Sequence, residues 1–151
     1  MKYDISWNYT QLKKYKFDTV ICVNVLEHMK NDKKALENMH SVLEKKGKLI
    51  LMAPAFQALY GTIDKANKHY RRYNKKQLKS LLKQCNFKIK SMAYMNLFGL
   101  LGWWYHNKFL KISVHNTKDL LLFDKLAPFL SFIEKIIPPP VGLSLIVIAE
   151  K

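Results

Sequence analysis

Phe17-Asp18-Thr19-Val20-Ile21-Cys22-Val23-Asn24-Val25-Leu26-Glu27-His28 is the stretch that decides the fold. Its first half is rich in β-branched and apolar residues, as a strand buried in a parallel sheet requires. The strand runs directly into Asn24, Glu27 and His28. In open α/β sheets the ligand crevice lies at the carboxyl ends of the strands, so these side chains stand where chemistry is expected. No glycine precedes Gly47. The glycine loop that cradles a nucleotide-type cofactor in such folds is therefore not part of this stretch.

Outward from that strand, Asn31-Asp32 is a helix start, and Ala35, Leu36, Met39, Val42 and Leu43 then recur at helical spacing. Lys45-Lys46-Gly47 is expected to close this helix, with Gly47 in a left-handed cap. Lys48 to Pro54 follows as a second apolar strand, which makes a right-handed βαβ unit with a parallel pair. Residues 55–73 form a polar and aromatic connection containing His69-Tyr70-Arg71-Arg72-Tyr73. Asn74 caps a helix carrying Leu78, Leu81, Leu82 and Cys85 on one face, ended by Asn86. Phe87 to Met95 alternates as a strand near a sheet edge, its lysines marking the edge. Leu143 to Ala149 is a buried strand introduced by Pro138-Pro139-Pro140 and Gly142.

Residues 96–140 are a helical and aromatic insertion within a single domain spanning 1–151. It includes Trp103-Trp104 and an amphipathic run from Leu120 to Ile137. Two readings stand for it: an extra helical layer, or a patch that docks on a membrane surface or a partner.

The chain of 151 residues can bury a core. With 49% hydrophobic and 25% charged residues it is ordinary for a globular protein, which argues against global disorder. The formal charge of +15, from 26 Lys+Arg against 11 Asp+Glu, favours anionic partners. Much of it is scattered lysine, which a solvated surface also explains. Cys22 and Cys85 sit in apolar patterns and are expected to be buried hydrophobes in a reducing, cytoplasmic setting. No stretch reaches about 18 uninterrupted apolar residues, so no transmembrane helix is expected.

The chain resembles the class I S-adenosylmethionine-dependent methyltransferases. Phe17-Asp18-Thr19-Val20 running into Asn24-Val25-Leu26-Glu27-His28 is similar to that family's fourth-strand motif. Gly47 to Pro54 is similar to its fifth-strand segment. Leu59-Tyr60-Gly61 with Asp64, the block His69-Tyr70-Arg71-Arg72-Tyr73, Asn96-Leu97-Phe98-Gly99 with Trp103, and Gly142 to Val147 resemble the bacterial branch found beside glycosyltransferases.

The resemblance implies a partial doubly wound α/β sheet with family strands 4-5-7-6 and a helical insertion before the last strand. It implies S-adenosylmethionine as cofactor, touched by Asp4, Asn24 and Val25, with Asp4 reading the adenine amino group. Glu27 or His28 would deprotonate or orient the acceptor. His69 with Arg71 and Arg72 would close over the site, the arginines suiting an anionic substrate; salt bridges holding the loop are the other reading for them. The first two strands and the glycine loop lie before the matched part. Another polypeptide supplies them, or the gene product is truncated, or the chain is partial. On this reading the first apolar strand is an open edge, prone to pairing or aggregation.

Some ubiquinone-pathway and small-RNA O-methyltransferases resemble the same pattern and use two acidic residues and histidines for a metal. Here Asn24 occupies the first acidic position, leaving Glu27, His28 and His69, and no metal is expected. His40, His106 and His115 are expected at the surface or in packing. The expected activity is methyl transfer to a small-molecule, sugar or lipid-linked acceptor, weak or absent in this chain alone. The alternative is a non-catalytic basic module on an anionic membrane or partner. No nucleic-acid partner is expected, because charge alone is a weak warrant.

Overall fold

The computed structural model describes residues 10–105, 134, 136 and 139–151. Asp4, His106, His115 and most of the run from Leu120 to Ile137 lie outside the described residues. After a short 3-10 turn at Thr10–Tyr15, the elements run β1 (Phe17–Val23), α1 (Asp32–Val42), β2 (Leu43–Pro54), α2 (Thr62–Ala66), α3 (Lys75–Gln84), β3 (Lys88–Met95), α4 (Leu97–Tyr105) and β4 (Ser144–Glu150).

The four strands make one mixed sheet in the order β1-β2-β4-β3. β1 and β2 are parallel, with Ile21 opposite Ile50. β4 is antiparallel to β2, with Leu51 opposite Val147, and antiparallel to β3 on its other side. β4 is thus inserted between the second and third strands, and among the described residues β1 and β3 are the edges.

One face of the sheet carries the core. Leu49, Leu51, Ala53, Leu145, Val147 and Ala149 are sealed from solvent and cluster with Leu36 and Met39 of α1 and Leu78 and Leu82 of α3. Strand alternation sends their neighbours to the opposite face. There Ile21 is 68% and Val23 46% exposed, and Ile148 is exposed too. β1 is therefore an apolar strand with one bare face, and among the described residues it pairs with β2 alone.

Local chemistry explains most boundaries. The Asn31 side chain accepts from the Lys34 amide at 2.9 Å, which starts α1. Asn74 and Gln77 form a reciprocal capping box on α3, with Asn74 Oδ1 accepting from the Gln77 amide at 2.8 Å. Asn86, at φ 63°, turns the chain out of that helix. The end of α1 differs from the sequence expectation. α1 stops at Val42, Leu43 opens β2, and the residue in the left-handed region is Lys46 (φ 68°), not Gly47. Gly47 serves close approach instead: a Cβ there would lie 3.0 Å from the Glu44 carbonyl oxygen and 3.1 Å from that of Phe17.

A second steric constraint fixes the entry to β4. Gly142 is buried against the Met95–Asn96 backbone, and an added Cβ would overlap the Met95 carbonyl group. Next to it the Leu143 amide donates to the Asn96 carbonyl at 3.0 Å, and the Leu143 carbonyl accepts from Ala55 at 2.8 Å. Gly142→Ala is expected to lower stability by about 1–3 kcal/mol through overpacking. A urea midpoint unchanged from the parent chain would show that this loop can yield.

α4 begins where Asn96 (φ 63°) turns the chain. The Glu134 carboxylate accepts from the Asn96 and Leu97 amides at 2.7 and 2.8 Å, placing a negative charge at the positive end of that helix. Among the described residues no helix is long and apolar enough to cross a membrane.

His40 has the packing role expected for it, edge-on to Phe87 with ring centroids 5.0 Å apart. Burial, then the nearby Lys151 charge, pushes its pKa below the usual 6.5. The unfolded chain therefore takes up this proton first. Stability is fully present above pH 6.5 and falls as pH drops below that value towards the folded pKa. His40→Gln is expected to flatten this limb, as read from urea midpoints measured across it.

Candidate active site

The crevice lies at the carboxyl ends of β1 and β2. Asn24 ends β1 by entering the left-handed region (φ 50°), which Asn tolerates, while its amide still donates to Met52 of β2 at 3.0 Å. The reversal throws Leu26–His28 into a 3-10 turn, closed by the His28 amide donating to the Val25 carbonyl at 3.0 Å. Leu26 drops into the core, Glu27 is 1% exposed, and His28 faces solvent.

The 55–73 connection is laced onto both strand ends. The Phe56 amide donates to the Tyr73 carbonyl at 2.8 Å, the Tyr73 amide to the Pro54 carbonyl at 2.9 Å, and the Tyr70 amide to the Glu27 carbonyl at 2.8 Å. Phe56 itself sits at φ 60°, a costly conformation for an aromatic residue, held by stacking on Tyr94 at 5.0 Å. This lacing carries His69 to His28, with their rings edge to face at 4.6 Å.

Asp64 organises the inner wall. Fully buried, its carboxylate accepts from Arg72 Nε at 2.9 Å, from His69 Nδ1 at 2.9 Å and from the Gly61 amide at 2.9 Å. Arg72, 4% exposed, also donates to the Ala55 carbonyl at 3.3 Å. With Nδ1–H committed to Asp64, the other ring nitrogen of His69 is the one left to act.

A cavity of about 420 Å³ is lined by Asn24, Glu27, His28, His69, Arg72 and Ser144, among others. Its size falls among small-molecule sites. Burial raises the Glu27 pKa above its usual 4.5; its own backbone amide and the nearby His69, His28 and Arg72 charges oppose this. One Glu27 oxygen, Oε2, is buried without a hydrogen-bond partner. Cys22, behind it, is an inert thiol, its pKa pushed up to about 12 by burial and by the Glu27 charge.

The structure thus brings together Asn24, Glu27, His28 and His69. Val25 lies beside them, exposed on the turn. Arg71 does not line this crevice. It pairs with Asp32 at 2.7 Å and donates to the Lys30 carbonyl at 2.8 Å, where it pins the loop to the start of α1. Of the two adjacent arginines it is Arg72 that reaches the buried Asp64 and lines the cavity. Asp64, part of the Gly61–Asp64 motif, had no role assigned from sequence. Its partners lie five and eight residues away across a turn, a spacing that no regular period reveals. The Trp103 and Trp104 side chains are outside the described residues, and nothing observed supports the basic-module alternative.

Residues 2–91, more than half of the chain, match a family model described as a methyltransferase domain. No curated protein matches the sequence. Among solved structures, an S-adenosylmethionine-dependent methyltransferase from Archaeoglobus fulgidus aligns with a TM-score of 0.57 at 18% identity, over 100% of this chain and 66% of that one. One from Mesorhizobium loti gives 0.61 at 11% identity, over 99% and 68%. Haemonchus contortus phosphoethanolamine N-methyltransferase 2, solved with S-adenosyl-L-methionine, gives 0.52 at 16% identity, over 89% and 33%. The chain therefore spans between 33% and 68% of the lengths of these proteins. At such identities the likeness establishes the fold, and the match over residues 2–91 establishes the family: the chain belongs to the methyltransferase-domain family.

Proposed function

We propose that this chain carries the acceptor side of an S-adenosylmethionine-dependent methyltransferase acting on a small-molecule, sugar or lipid-linked acceptor. The observation that carries the reading is the convergence of Glu27, His28 and an Asp64-oriented His69 on one cavity at the carboxyl ends of β1 and β2. Support for the cofactor comes from the fold's likeness to proteins described as S-adenosylmethionine-dependent.

The residues present fit one end of that cofactor. Asn24, exposed at the strand end with its backbone turned, and Val25 would hold its methionine side. No glycine precedes Gly47 to let a backbone approach the nucleoside closely. The bare face of β1 and the edge it leaves unpaired among the described residues suit further parallel strands, from the same or another polypeptide, that would bring such a loop. Cofactor binding by this chain alone is accordingly weak.

When bound, the cofactor supplies an electrophilic methyl group on a sulfonium. Catalysis then rests on orienting the acceptor and removing its proton. His69 is the better placed base, since Asp64 takes its Nδ1–H and stabilises the imidazolium, as in a triad. Glu27 and His28 flank it and orient the acceptor. Arg72, neutralised by Asp64, keeps the wall rigid.

Titration calorimetry with S-adenosylmethionine tests the division of the site. The expected result is no micromolar binding by the chain alone, and binding once strands bearing a glycine loop are joined at β1. Tight binding by the isolated chain would overturn it.

A further inference from the structure

We infer that the atom methylated in this crevice is a nitrogen, and that Glu27 and His69 together hold an uncharged primary amine. The inference rests on the methyl-transfer reading and names the acceptor class for the same cavity. One nitrogen or oxygen atom from each of Glu27, His28 and His69 lies within 4.8 Å of the others. An amine nitrogen that gives two hydrogen bonds of about 2.9 Å at a tetrahedral angle holds its two acceptors about 4.7 Å apart. The cluster meets that span without moving.

Two observations beyond the spacing favour nitrogen over oxygen. Glu27 is the one carboxylate among the described residues that line the cavity; it is 1% exposed, and its Oε2 has no hydrogen-bond partner. A sealed acceptor of this kind is costly until a donor serves it. His69 gives its Nδ1–H to Asp64, which makes Nε2 a second acceptor. A hydroxyl has a single hydrogen and serves one of the two, whereas an amine NH2 group serves both. The arginine charges are balanced within the protein, Arg72 by Asp64 and Arg71 by Asp32. The ionised Glu27 carboxylate therefore repels a developing alkoxide and favours positive charge developing on nitrogen.

Two fixed hydrogens leave the lone pair as the free direction, so the two acceptors orient the nucleophile. The lone pair forms the nitrogen–carbon bond as the carbon–sulfur bond breaks, and the electron pair of the broken bond stays on sulfur. The nitrogen, now positive beside Glu27, passes its surplus proton to His69 Nε2, and Asp64 stabilises the imidazolium. The product keeps one N–H, which serves only one of the two acceptors, so transfer stops at a single methyl group.

Amine binding is read without methyl transfer, so its outcome is separable from the activity. The full chain is titrated near neutral pH with trifluoroethylamine, a primary amine largely unprotonated there, and with trifluoroethanol, its hydroxyl counterpart. Fluorine and amide nuclear magnetic resonance follow both. The expected result is fast-exchange shifts at Glu27 and His69, with the amine bound at least about 10-fold more tightly than the alcohol. Glu27→Met should abolish this preference, and His40→Gln should leave it unchanged. The comparison of the two ligands needs no variant, so it stands even if a substitution unfolds the chain. Equal affinity for the two, no amine binding at about 100 mM, where a ligand this small should register, or a preference that survives Glu27→Met would overturn the inference. In the methyltransferase with its cofactor portion joined, methylation of an alcohol but not of the matching primary amine would also overturn it, and would leave the methyl-transfer reading intact.

Discussion

Removing either partner of the Asp64–Arg72 pair is expected to destabilise the chain by about 3–5 kcal/mol, because each deletion strands a charge inside the fold. Asp64→Ala leaves a guanidinium that is 4% exposed without the carboxylate to which its Nε donates. It also frees His69 and the Gly61 amide together. Arg72→Ala is the milder change, since His69 and Gly61 still serve the carboxylate. A loss of this size is a large part of the total stability of a domain, usually about 5–15 kcal/mol. Replacing both residues together, Asp64→Leu with Arg72→Met, should recover much of it, because a buried pair often exchanges for apolar side chains at little cost. Urea denaturation of the four proteins measures this. Single-variant losses below about 1 kcal/mol would mean that the wall of the crevice does not depend on the pair.

The larger kinetic effect belongs to His69. In the methyltransferase with its cofactor portion joined, His69→Ala is expected to lower the turnover rate by about 10²–10⁴-fold, the usual worth of a positioned base. The fall should appear in kcat with KM for the acceptor little changed, whereas a merely structural role would move both. Arg71→Ala should change the rate little, since Arg71 turns away to Asp32. A rate that falls with Arg71 and not with His69 would reverse the assignment of the crevice.

These expectations rest on contacts that differ in how far the sequence discloses them. The strands and helices are legible because each buries one face: Leu49, Leu51 and Ala53 alternate, and Leu78 and Leu82 recur at four residues. Caps at Asn31 and Asn74 are legible because their partners are three residues away. The position of β4 between β2 and β3 is not local, and it follows from family resemblance rather than periodicity. Gly47 misleads because glycine has two uses, left-handed turns and close approach, and only the surrounding backbone shows which applies.

In the site, Glu27 and His28 are legible because they directly follow an apolar strand, although that strand is bare on one face rather than buried on both as its sequence suggests. His69 is legible as part of a motif, but its pairing with His28 needs the folded connection. Adjacent Arg71 and Arg72 cannot be told apart by sequence, because their divergence depends on how the Tyr73 backbone pairs with Pro54 and Phe56. Asp64 is the residue on which the wall turns; the Gly61 amide it caps is three residues away, but His69 and Arg72 reach it only through the folded connection.

The most direct test of the central claim is an amide nuclear magnetic resonance titration of the chain with S-adenosylhomocysteine to millimolar concentration. Weak, fast-exchange shifts clustered at Asn24, Val25 and Glu27 are predicted, with little change at Arg71. Shifts confined to other parts of the chain, or none at the end of β1, would contradict a methyl-transfer crevice at this place.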